Sequence, residues 1–182
     1  MPTMLSRLSE DPGLVNAFGD FFYKQFAEMN SKYDIHKAII AYELAVGLTT
    51  PNDTNYRIYV CNAGLALYRQ SQLSGNLADI NKAISILEVA IAYTSEEDAT
   101  YAMQLDYLGN ALYSRFGLTG KLNDIESAIS FQQKATKLTP EGHADMPPTL
   151  NNLGISFHSH FDHTGDLADI KSAIFSSKEL SS

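Results

Sequence analysis

Between residues 101 and 119, Leu105, Leu108, Leu112 and Phe116 follow one another at steps of three, four and four. That spacing places them on one face of an α-helix. The same four places are taken by Val15, Phe18, Phe22 and Phe26, by Val60, Ala63, Leu67 and Ser71, and by Leu150, Leu153, Phe157 and Phe161. A second apolar face follows each one, as in Leu122, Ile125, Ala128, Ile129 and Ala135. The whole pattern returns every 45 residues without a gap: Gly19, Gly64, Gly109 and Gly154; Asp34, Asp79, Asp124 and Asp169; Ile39, Ile84, Ile129 and Ile174. It predicts helices near residues 12–29, 32–49, 56–74, 77–94, 101–119, 122–138, 146–164 and 167–179, and no strand.

Polar residues punctuate the pattern. Asn55, Thr100 and Asp145 precede the first helices where an N-cap belongs, and are expected to accept hydrogen bonds from the first-turn N–H groups. Ser31, Asn76 and Asp166 are expected to cap the second helices, with Lys121 in that place in the third copy. Gly75, Gly120 and Gly165 suit left-handed helix ends. The aspartate at position 34 and its equivalents falls in the first turn of each second helix, where the helix dipole favours it by ~0.3–1 kcal/mol. The four acids sit in four different copies, roughly 10 Å or more apart across a helix pair; they read as structural rather than as a metal or acid–base array. A glycine inside each first helix costs ~1 kcal/mol relative to alanine, so its recurrence implies that the partner helix crosses close by. One helix pair cannot bury its stripe alone, whereas stacked pairs bury it against one another. The fold class expected is all-α: an α-solenoid of about four helix-pair repeats at 10–54, 55–99, 100–144 and 145–182, a single array over 1–182.

The residues resemble the tetratricopeptide repeat (TPR): Leu108, Gly109 and Leu112 in one helix, then Ala128, Gln132, Ala135 and Pro140. Two features depart from it. The chain has no Trp, and its period of 45 residues exceeds the roughly 34 of that family. The wording from Tyr101 to Ile174 is similar to the long TPR arrays of basidiomycete fungi, many of them joined to a caspase-like CHAT peptidase domain. The resemblance implies a right-handed TPR-like solenoid that acts as a scaffold for protein–protein interaction. The alternative it implies is the regulatory arm, or a fragment, of a larger CHAT-type peptidase, with further repeats or a C-terminal domain in a longer chain.

The family's concave groove is lined by first helices. Carried over by alignment, its positions are Asn16, Cys61, Asp106 and Asn151; Asp20, Leu65, Asn110 and Ile155; and Tyr23, Tyr68, Tyr113 and His158. Asparagines can bond both edges of an extended peptide backbone, and tyrosines add contact area with a polar tip. Tyr68 and Tyr113 are expected to anchor a bound peptide, off the core stripe, and Cys61 to be partly exposed among polar neighbours. Lys24 and Arg69 give way to Ser114 and Ser159, so no repeated basic clamp for a terminal carboxylate forms.

Composition narrows the partners. Hydrophobic residues make up 45% of the 182, enough to bury a core. A formal charge of −8 argues against nucleic acid or an anionic membrane as partner. The single cysteine, Cys61, fits a reducing compartment. No signal-peptide pattern and no run of roughly 18 apolar residues is present, so a cytoplasmic protein is expected. The segment HSHFDH holds His158, His160 and His163 and suggests a weaker alternative, a His-rich metal-linked module. Structural metal sites want four ligands in closed geometry, so no metal, no cofactor and no catalysis are expected. Towards the end, Ser176 stands where earlier copies have Ile86 and Phe131, and Ser181 where they have Ile91 and Thr136. This is either a polar cap of the array or the edge of a truncated product.

Overall fold

The computed structural model describes residues 10–140 and 142–179, except for the side chains of 175 and 177–179. Among the described residues there are eight α-helices and no strand: α1 Pro12–Met29, α2 Lys32–Gly47, α3 Tyr56–Ser74, α4 Leu77–Ala92, α5 Tyr101–Thr119, α6 Leu122–Leu138, α7 Met146–Thr164 and α8 Leu167–Glu179. They pack as two compact units, one ending at Thr94 and one beginning at Ser95, each built of two repeats. In the first, α1 packs on α2, α2 on α3 and α3 on α4; in the second, α5 packs on α6, α6 on α7 and α7 on α8.

The recurring glycine marks a close crossing in three of the four pairs. A methyl group added at Gly64 would stand 2.9 Å from the side chain of Leu87, and one at Gly109 would stand 2.7 Å from that of Gln132. At Gly19 it would run into the Tyr42 ring. The partner residues Tyr42, Leu87 and Gln132 are themselves one position repeated, all buried. Gly154 is looser, its nearest neighbour being Ser176 at 3.8 Å.

Every first helix stops on a left-handed residue, Asn30, Gly75, Gly120 or Gly165, whose N–H returns to a carbonyl four residues back. Two residues later the next helix starts. The repeated aspartate then holds the pair together at that end. Arg115 Nε and Nη2 donate to the two oxygens of Asp124 at 2.9 and 2.6 Å, and His160 Nδ1 lies 2.7 Å from Asp169 Oδ2. Arg115 and His160 are equivalent positions one period apart. Ser74 donates to Asp79, whereas in the first copy Asp34 pairs with Lys37 of its own helix and makes no such link among the described residues.

Three expectations need correction. Asn55, Thr100 and Asp145 make no side-chain cap bond, because their backbone is already helical, whereas an N-cap oxygen reaches the first-turn N–H groups from an extended backbone. The lead-in is instead a turn in which the carbonyls of Asp53, Asp98 and His143 accept from Tyr56, Tyr101 and Met146. Ser31 likewise makes no cap bond, whereas Asn76 and Asp166 do, and Asp11 caps α1. The second helices of the first two copies end at Gly47 and Ala92, two residues short of expectation. There the hydroxyls of Thr49 and Thr94 donate to the carbonyls of Ala45 and Ala90, satisfying helix-end acceptors from the side. Thr139 does the same to Ala135. Phe18, expected in the buried stripe, is exposed, and Ser181 lies outside the described residues.

Candidate binding face

The twelve positions singled out along the first helices fall into two groups, one per unit. In the first unit the polar members bond to each other. Asn16 Nδ2 donates to Asp20 at 3.1 Å and receives a bond from Asn62 Nδ2 at 3.0 Å; Tyr42 donates its hydroxyl to Asp20 at 2.9 Å. That bond and burial together push the Tyr42 phenol far above its ordinary range, burial being the larger cause. Tyr23 and Leu65 are half-buried. Cys61 and Tyr68 are buried, at 5% and 7% exposure, against the expectation of an accessible thiol and a free aromatic anchor. The reason is their neighbours in the helix. They flank the stripe of Val60, Ala63 and Leu67, and a helix packed on two sides buries more than one stripe. Burial pushes the Cys61 thiol up to about 12. The Tyr68 hydroxyl accepts from Gln72 Nε2 at 2.8 Å.

The second unit repeats the ladder. Asn110 Nδ2 donates to Asp106 at 3.0 Å, Asn152 Nδ2 reaches the same carboxylate, and Gln132 Nε2 donates to Asn110 at 3.0 Å. Asp106 is buried, and desolvation raises its pKa although both asparagine bonds pull it down. Beyond this ladder the face opens. Tyr113, Asn151, Ile155 and His158 come together with Gly154 and Ser159 around a depression of about 450 Å³. Asn151, Ile155 and His158 are exposed and Tyr113 is half-buried, its hydroxyl 3.2 Å from Ser159 Oγ. Four of the twelve positions thus form one accessible surface, carried by α5 and α7.

Asn62 and Asn152, which tie the ladders, do not stand out in the sequence. Each lies 46 residues after its partner, one more than the period. Comparing single repeated positions does not reveal a bond that steps from one position to the next.

The three histidines diverge. His158 pairs with Asp162 at 3.1 Å one turn along the helix, His160 with Asp169, and His163 meets the Phe116 ring edge-on. Among the described residues no three His, Cys, Asp or Glu side chains converge on one point. Nor is any described helix long and apolar enough to cross a membrane.

No protein-family model and no curated protein matches the chain. Among solved structures, it is similar to a chain described as the DHF58 filament, with a TM-score of 0.54 and 13% identity over 93% of this chain and 90% of that one. It is also similar to a de novo designed helical repeat protein, DHR64, with a TM-score of 0.38 and 12% identity over 93% and 91%. The first likeness shows a helical-repeat fold.

Proposed function

We propose that this chain is a TPR-like interaction scaffold, acting without catalysis in a reducing, cytoplasmic setting, and that it binds an extended segment of a protein partner along α7. One observation carries the reading. The depression brings together Tyr113, Asn151, Ile155 and His158, four positions that the TPR resemblance assigns to a groove, three of them exposed. Ile155 offers an apolar contact, Asn151 a donor and an acceptor for peptide backbone, and Tyr113 a rigid ring with a polar tip. Asp106 and the amides beside it hold each other in place, so the open surface stands on a fixed floor. A net charge of −8 favours a neutral or basic segment.

Linear peptides selected from a displayed random library on the intact protein test this. Ile155→Glu combined with His158→Ala weakens the selected peptides by about 30-fold or more, equivalent to roughly 2 kcal/mol. The thermal unfolding curve stays where it was, because both side chains are exposed. Selected peptides that bind the double variant as well as the native chain would place the binding surface elsewhere.

A further inference from the structure

The first repeat exposes three large apolar side chains on one face of α1: Leu14 at 43%, Phe18 at 51% and Phe21 at 56%. The two phenylalanines have buried equivalents in later copies. Phe18 corresponds to Ala63, Leu108 and Leu153, at 2%, 1% and 6% exposure. Phe21 corresponds to Ala66, Ala111 and Ser156, none above 1%. A repeat face that meets water is ordinarily polar; this face carries two phenylalanines and a leucine. The last repeat shows the complementary vacancy. Ile174 is 51% exposed, whereas Ile39, Ile84 and Ile129 at the same position are buried.

The two faces have a template inside the molecule. In the second unit Ile129 and Leu153 belong to one apolar cluster, the joint between the third and fourth repeats. Phe18 holds the position of Leu153, and Ile174 that of Ile129. Seating Phe18 of one molecule on Ile174 of another therefore repeats a joint that the chain already makes, between the same two helix faces. We infer that the exposed α1 face docks on the α8 face of a second copy of this chain, head to tail. Such a contact is heterologous: the pair keeps one free face of each kind, one on each molecule. It uses none of the residues around Tyr113 and Ile155, so it stands or falls apart from peptide binding.

Sedimentation velocity of the intact chain over a wide concentration range, with two end-blocked variants, tests the contact. The native chain passes from monomer to dimer and larger species as concentration rises. Phe18→Ser with Phe21→Ser blocks the head, Ile174→Ser blocks the tail, and each variant alone remains monomeric. Mixed together they form a one-to-one dimer and nothing larger, because one sound head meets one sound tail. A native chain that is monomeric throughout would overturn the inference. Continued self-association of the Ile174→Ser variant would overturn it too, showing the aromatic face paired with itself. So would association that appears only after residues 2–9 are deleted, since the chain's own leading segment would then be the occupant. The tail variant alters a single exposed residue, so its sedimentation tests the contact even if the head variant does not fold.

Discussion

Asn152 donates its side-chain amide to both carboxylate oxygens of Asp106, at 3.3 and 3.1 Å, from the first helix of one repeat to the first helix of the repeat before it. Asn62 gives the same stepwise bond to Asn16 in the other unit. The polar side of each unit is thereby stitched across its repeat joint, while the apolar stripe seals the other side. A buried polar ladder of this kind fixes the register of neighbouring helices, because a slip of one residue leaves its members without partners.

The Asp106 carboxyl carries a pH signature. Its folded pKa lies above the ordinary value of 3.8, with burial as the main cause. The folded state therefore takes up the proton first. The unfavourable contribution of the charged form is fully present above the raised pKa and fades as pH falls through it towards the unfolded value. Asp106→Asn removes that dependence. Urea unfolding of both proteins from neutral pH down to about pH 4 should show the native chain gaining on the variant as pH falls. A constant difference between the two would mean that Asp106 titrates normally.

The glycines at the helix crossings are not equivalent. Gly64→Ala pushes a methyl group into fully buried Leu87, with the backbone of that residue 3.3 Å away, and should destabilise the protein by roughly 1–3 kcal/mol through overpacking. Gly154→Ala meets ordinary contacts and gains the helix propensity of alanine, so stability should hold or rise by up to ~1 kcal/mol. Chemical denaturation of the two variants decides; equal losses would show that crossing distance is not what selects glycine.

Cys61 is the sole thiol, buried and pushed up to about 12. The thiolate is the reactive form. A thiol reagent should therefore label the native protein slowly at neutral pH and label it at once in denaturant. Rapid labelling under native conditions would show that the first unit opens around α3.

Arg115→Ala strips two donors from Asp124, whose side chain is 8% exposed. The helix dipole remains as support, so a loss of roughly 1–3 kcal/mol is expected. Removing Asp124 as well should restore part of it, because the buried carboxylate disappears with its penalty. A double variant less stable than Arg115→Ala would show that the aspartate serves the helix start more than the pair.

Helix positions were readable in the chain because the period is exceptionless and the stripes are repeated. α1, α3, α5 and α7 lie where the spacing of Val15, Val60, Leu105, Leu150 and their partners places them, and α6 and α8 lie at the expected 122–138 and 167–179. Helix ends were less readable: Asn55, Thr100 and Asp145 have the right chemistry for caps but stand in helical backbone, and the threonines that finish the second helices act through hydroxyl-to-carbonyl bonds outside the apolar pattern. The candidate face was half readable. Alignment picks out a helix face, but not which of its side chains the neighbouring helices cover: Tyr68 and Cys61 are enclosed while Ile155 and His158 are open. Phe18 makes the same point in reverse: an apolar residue on the predicted stripe stays exposed where no described helix covers it.

The left-handed residues that end the first helices, Asn30, Gly75, Gly120 and Gly165, close their turns with a backbone bond each, and in the last three copies the hydroxyl of Ser74, Thr119 or Thr164 accepts from the N–H two residues on. No side chain of the exposed face takes part in that closure. Selection can therefore rewrite Asn151, Ile155 or His158 without disturbing the route of the main chain. A lineage built on this plan can vary that face while inheriting its frame unchanged, and divergence between descendants should gather on the exposed side of the first helices and spare the corners.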